Sequence, residues 1–168
     1  MKFKNLDNTP IFEIFMRKYE LAVNNLFPEL CGLEIETRSL TQVEEEGLSS
    51  DDVNNSPFCC DLKKMQILRS NKECTNCGLK EDEEIALIAH EIGHFIIAQK
   101  GTSALNGNEE EWADSYAAKI VGNDSLKNAL QKIYDSPSDT TNDDMNECFG
   151  YRTSKDIKSE ILIRIKLI

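Results

Sequence analysis

A chain of 168 residues is the size of one domain and can bury roughly two-thirds of the surface its unfolded form exposes. Hydrophobic residues at 40% and charged residues at 29% exclude compositional disorder. Thirty acidic against 19 basic residues give a formal charge of −11, which argues against a general nucleic-acid backbone binder, and no apolar run is long enough to span a membrane. The opening MKFKNLDNTP lacks an apolar h-region. The expectation is therefore a chain without a signal peptide, placed in the cytoplasm by default.

Residues 9–28 read as a helix, with Thr9 as cap, Pro10 at its first position, and Ile11, Phe15, Ala22 and Leu26 at helical spacing. Residues 31–40 alternate Leu33, Ile35 and Thr37 against Glu34, Glu36 and Arg38, the pattern of a half-buried strand. Residues 41–57 are acidic and polar and read as a loop. Residues 58–70 are strand-like, with a break near Lys63-Lys64, and 71–80 read as a Cys/Asn/Gly loop.

From Glu81 to about Gln99 the pattern is helical and apolar nearly all round, so this helix is central and buried. Gly101 terminates it. A helix follows from Glu109 to Val121, ended by Gly122, and Asn123-Asp124-Ser125 opens another to about Tyr134. Residues 135–147 read as a loop. Thr153 or Ser154 caps a last helix carrying Ile157, Ile161, Ile165 and Ile168. The whole, 1–168, is read as a single domain.

Both histidines of the chain fall within His90-Glu91-Ile92-Gly93-His94, an H-E-x-x-H on a helix. Positions i and i+4 share a helix face, so two imidazoles there can converge on one zinc ion. Glu91 lies beside the metal without easily ligating it, the place of a general base. Gly93 removes bulk beside the second ligand and permits a close backbone approach. With no histidine left, the third ligand must be a carboxylate or a thiolate. On the next helix Glu110 and Asp114 stand at i and i+4, beside the apolar face set by Trp112, Ala113, Tyr116, Ala117 and Ile120. Glu110 as ligand and Asp114 as partner of a ligand histidine form a coherent set. Glu109 and Glu111 read as solvated charges.

ALIAHEIGH followed by EEEWADSYAAKIV resembles the gluzincin metallopeptidases, which pair an H-E-x-x-H helix with a second helix bearing E-x-x-x-D. The form is similar to the small ImmA/IrrE-like peptidases and, as a second choice, to the catalytic core of the HtpX-like membrane peptidases. The resemblance spans about residues 81–122. It implies an α+β fold, a minimal zincin-like core with a small, mostly antiparallel sheet packed on the two helices. It implies His90, His94 and Glu110 as zinc ligands, Glu91 as general base and Asp114 behind a histidine. The implied activity is hydrolysis of a protein or peptide substrate, with a phage-type repressor as one candidate. Neither a nucleic-acid nor a membrane partner is expected. An opposing electrophile, a tyrosine or histidine in many relatives, is not evident, which leaves Tyr116 and Tyr151 as the candidate kind.

The six cysteines are 31, 59, 60, 74, 77 and 148. Cys74 and Cys77 form a lone C-x-x-C, with Cys59-Cys60 upstream. Reduced thiols, a redox pair, and a second structural zinc at Cys59, Cys60, Cys74 and Cys77 are the open readings. The rival to an enzyme is a catalytically silent, zinc-binding regulatory or protein-interaction domain of the same fold. A structural domain without metal is a third.

Overall fold

The computed structural model of the chain describes residues 1–47, 56–101, 108–136 and 154–168. In chain order the elements are β1 (Lys2–Asn5), α1 (Pro10–Leu26), a 3-10 turn (Pro28–Leu30), β2 (Glu34–Ser39), α2 (Gln42–Gly47), β3 (Phe58–Asp61) and β4 (Gln66–Arg69). Then come α3 (Asn71–Asn76), α4 (Glu81–Lys100), α5 (Glu109–Val121), α6 (Asn123–Asp135) and a last helix, α7 (Ser154–Leu167). Of the segments expected as loops, residues 48–55 of 41–57, 102–107 of the stretch 101–108 between the two site helices, and 137–147 of 135–147 lie outside the described residues, as do the cap at Thr153, Tyr151 and Cys148. Among the described residues no helix is long and apolar enough to cross a membrane.

The architecture is α+β, but the sheet is not mostly antiparallel. Its strand order is β1-β2-β4-β3, with β1 and β4 both parallel to β2 and only β3 antiparallel to its neighbour. The reason lies at the amino terminus. Lys2–Asn5 forms a strand too short and too charged to stand out in the sequence, with Phe3 its buried residue. Helix α1 then serves as the crossover that parallel pairing to β2 requires. The break near Lys63-Lys64 is the β3–β4 hairpin turn, where the Asp61 carboxylate accepts from the amides of Lys63 and Lys64 at 3.1 and 3.0 Å.

Two segments read as loops are helical, and both begin with Ser/Thr-x-x-Glu. At α2 the Thr41 amide donates to Glu44 at 2.8 Å and the Glu44 amide to the Thr41 hydroxyl at 3.3 Å, a reciprocal cap. At α3 the Ser70 hydroxyl accepts from the Glu73 amide at 3.1 Å. At α1, Thr9 holds the cap position but its hydroxyl bonds Ser39 at 2.8 Å rather than the helix end.

Helix α4 is the axis of the core. Ile88, Ala89, Ile92 and Ile96 are fully buried, and the helix packs against α1, β3, α5 and α6. The tightest approach is to α5. A β-carbon built on Gly93 would lie 2.7 Å from Ala113 Cα and 2.8 Å from its carbonyl oxygen. Backbone cannot yield as a flexible side chain does, so Gly93→Ala must part the two helices. The expected loss is about 1–3 kcal/mol, read as a lower midpoint in denaturant with an unchanged slope.

Candidate metal centre

The site is built across the α4–α5 pair. On α4, His90 and His94 sit one turn apart with rings in edge-to-face contact at 4.9 Å. On α5, Asn108 caps the first turn by accepting from the Glu110 amide at 3.1 Å, which fixes where the run of glutamates starts. His90 Nε2 and His94 Nε2 lie 3.3 Å apart. The Glu110 carboxylate approaches them at 3.2 and 3.5 Å respectively. Among the described residues this is the one group of three or more His, Cys, Asp or Glu that can hold a metal ion.

Donor spacing is a test of fit. Atoms at tetrahedral vertices around an ion with bonds of ~2.0–2.1 Å stand roughly 3.3–3.4 Å apart, against roughly 3.0 Å for right-angled neighbours. The separations of 3.2–3.5 Å bracket the tetrahedral figure, with Glu110 Oε2 facing His90 Nε2 and Oε1 facing His94 Nε2. The outer nitrogens support it. Asp114 Oδ1 lies 2.8 Å from His90 Nδ1, and Glu109 Oε1 lies 3.0 Å from His94 Nδ1. Each carboxylate favours a proton on Nδ1, which turns the Nε2 lone pairs inward. Two such lone pairs and a carboxylate facing one another require a cation between them, whether a metal or a proton.

Without a metal, His90 takes the proton. Burial pushes it down, but hydrogen bonds to Asp114 and Glu110 prevail and raise it to about 9. Burial pushes Glu110 up, yet the His90 contact and the positive charges of His90 and Arg164 bring it to about 2. Asp114 is likewise lowered, against burial, by Arg164 and His90. The His90 contribution to stability is therefore full below its ordinary value of 6.5 and is lost as pH rises through about 9. That of Glu110 is full above its ordinary 4.5 and is lost as pH falls through about 2. Metal-free protein should be most stable between about 4.5 and 6.5 on these two groups. Thermal midpoints in chelator should fall from pH 6 to pH 9, and a flat profile would show His90 unprotonated.

Glu91 is buried at the side of α4 that packs on β3. The Cys60 thiol of that strand is driven up first by burial and then by the Glu91 charge beside it. Glu91 thus faces the edge strand, and its charge also acts on His90. Glu111 lines a cleft between α5 and α7 with Asp114, Ser115, Lys119 and Arg164, and it is outside the ligand group.

Two expectations need correction, and among the cysteine readings reduced thiols fit the described residues. Glu109 is not merely solvated. It is half-exposed, but as the first residue of α5 its side chain reaches back to His94. Glu109→Ala should weaken zinc binding about tenfold in a competition titration, within the range for loss of a histidine's outer partner. Tyr116 is core rather than an electrophile in the site, packed edge-on against Phe27 at 5.5 Å and tilted on Trp112 at 6.2 Å. The cysteines do not converge in groups of three or more on any metal position among the described residues. Cys31, Cys59, Cys60, Cys74 and Cys77 are free, and burial raises Cys59 to about 11 and Cys74 to about 12, values of inert thiols.

The residue that sequence reasoning passed over is Arg164, on α7. Its Nε and Nη2 donate to Asp114 Oδ2 and Oδ1 at 2.6 and 2.7 Å, and its Nη1 donates to Glu110 Oε2 at 2.9 Å. The signal was present. Arg164 shares the face of Ile161 and Ile165, and a guanidinium there must find a buried carboxylate.

Comparison of the chain with family models, curated proteins and solved structures gives no match.

Proposed function

We propose that the chain is a zinc-dependent metalloendopeptidase of the gluzincin kind, with His90, His94 and Glu110 as ligands and Glu91 as general base. The observation that carries this is the convergence of two Nε2 atoms and one carboxylate at 3.2–3.5 Å, with Glu91 buried on the same helix and outside that group. Zinc held there supplies Lewis acidity, polarising a peptide carbonyl and making water acidic enough to attack near neutral pH. The chain's own residues do the rest. Glu91 takes the proton from the attacking water and passes it to the leaving amine. Asp114 and Glu109 hold the imidazoles in the tautomer that presents Nε2.

The substrate would lie along β3. This strand is a sheet edge, it packs on α4, and its Cys60 side chain faces Glu91. An extended peptide adding there as a strand brings its backbone past the general base. A protein or peptide is the substrate class, and a phage-type repressor is the candidate suggested by the family resemblance. A zinc-binding regulatory domain without turnover shares every ligand. The contact of Glu91 with the edge strand, from the helix that carries both histidines, favours the enzyme.

Protein purified without chelator should carry about one zinc per chain. It should cleave members of a broad peptide library, lose that activity in chelator and regain it with zinc. A chain that carries no transition metal would sink the proposal. A zinc-loaded chain that cleaves nothing would leave the regulatory reading.

A further inference from the structure

We propose that Arg164 is a positioning residue for His90 that acts through Asp114, its guanidinium fixing the plane of the carboxylate that holds the outer nitrogen of the ring. This rests on the zinc reading above. Asp114 cannot fix that plane unaided. It meets His90 through one oxygen, Oδ1, 2.8 Å from Nδ1. A carboxylate held at one oxygen still swings about its Cβ–Cγ bond, a broad torsion with no sharp minimum. Among the described residues, the other side-chain hydrogen bonds of Asp114 all come from Arg164. Nη2 donates to Oδ1 at 2.7 Å and Nε to Oδ2 at 2.6 Å. Two parallel bonds from one planar fork admit one carboxylate plane. Asp114 is 2% and Arg164 8% exposed, so neither charge can leave the other for water without a large cost.

The roles of the hydrogens follow. A guanidinium can only donate. His90 Nδ1 and Arg164 Nη2 lie 3.4 Å apart because both are directed at the same Oδ1. Asp114 is thus the acceptor between two donors, and the imidazole that it holds presents Nε2 to the Glu110 carboxylate 3.2 Å away. A residue on α7, which contributes no ligand, thereby sets the ring of a ligand on α4. Arg164 also has a direct route to the site, since Nη1 donates at 2.9 Å to Glu110 Oε2, the oxygen that faces His90. A test must separate the route through Asp114 from that one and from the plain docking of α7.

A double-variant cycle does so. Lysine at 164 keeps the charge and loses the fork, and asparagine at 114 keeps the shape and loses the carboxylate. Zinc affinity of the parent, Arg164→Lys, Asp114→Asn and the double variant would be measured by competition with a chromophoric chelator. Arg164→Lys is expected to bind zinc about tenfold more weakly than the parent. On the Asp114→Asn background the same change is expected to alter affinity by less than about twofold, because the plane that it set is gone. An equal loss on both backgrounds would assign the effect to Glu110 or to helix docking and would overturn the proposal, as would no loss on either. A second measurement needs no variant. In the nitrogen-15 spectrum of the zinc-loaded parent, the His90 Nδ1 proton should show an Overhauser contact to the guanidinium protons of Arg164. Its absence would overturn the proposal even if a variant failed to fold. A parent that binds no zinc removes the zinc reading and this one with it, whereas a loaded parent that fails either comparison removes only the role of Arg164.

Discussion

Glu91→Gln is expected to fold, to hold zinc close to parental affinity, and to lose about 10²–10⁴-fold in the rate of peptide cleavage. Glutamine is nearly isosteric and can still accept a hydrogen bond, but it cannot take a proton at neutral pH. Glu91 is outside the ligand group, so its replacement leaves the donors of the ion unchanged. It is also buried, and the Cys60 thiol beside it can donate to an amide oxygen as to a carboxylate, so packing should survive. The measurement is cleavage of one peptide by both proteins at matched zinc content. Equal rates would place water activation elsewhere or expose a contaminating activity.

Glu110→Ala is expected to abolish stoichiometric zinc at micromolar protein, and Glu111→Ala to leave it intact. Two imidazoles alone make an incomplete site. The variant also strands Arg164 Nη1, which donates to Glu110 at 2.9 Å, so some stability is lost as well. Elemental analysis after gel filtration separates the two effects when set beside the thermal midpoint. Full zinc retention by Glu110→Ala would move the third ligand to another acid, with Glu109, already 3.0 Å from a histidine nitrogen, the first to examine.

Local spacing made most of the candidate site readable. His90, Glu91 and His94 needed only the helical period, and Gly93 only the idea of a neighbour. Glu110 and Asp114 needed the phase of one further helix, which Trp112, Ala113, Tyr116 and Ala117 supply. Glu109 escaped because phase describes the middle of a helix. At the first residue of α5 there is no preceding turn to confine the side chain, and it swings back over the helix end to His94. Arg164 escaped for another reason. It lies 50 residues beyond Asp114, and no local pattern states which carboxylate a buried arginine will meet. In the fold, the long elements α1, α4, α5 and α6 announced themselves by apolar period and by Pro, Gly and Asn at their ends. The short ones did not. β1 has four residues, α2 and α3 six each, too few for a period to be distinguished from chance.

The close approach of α4 and α5 bears on how the protein tolerates loss of its ion. All three donors lie on consecutive helices, so an ion there is a cross-link within one helical hairpin. The loop it closes is short, but closure entropy grows only slowly with length, so the unfolded chain would still lose roughly 3 kcal/mol of freedom in the chain-entropy account. The stabilisation realised is set by mass action, about 2.7 kcal/mol when free zinc stands a hundredfold above the dissociation constant. Gly93 against Ala113 already docks the hairpin without the ion. The stripped protein should therefore keep its helices and its core, with amide exchange quickening first in the opening turn of α5, where Glu109 and Glu110 have lost what they faced.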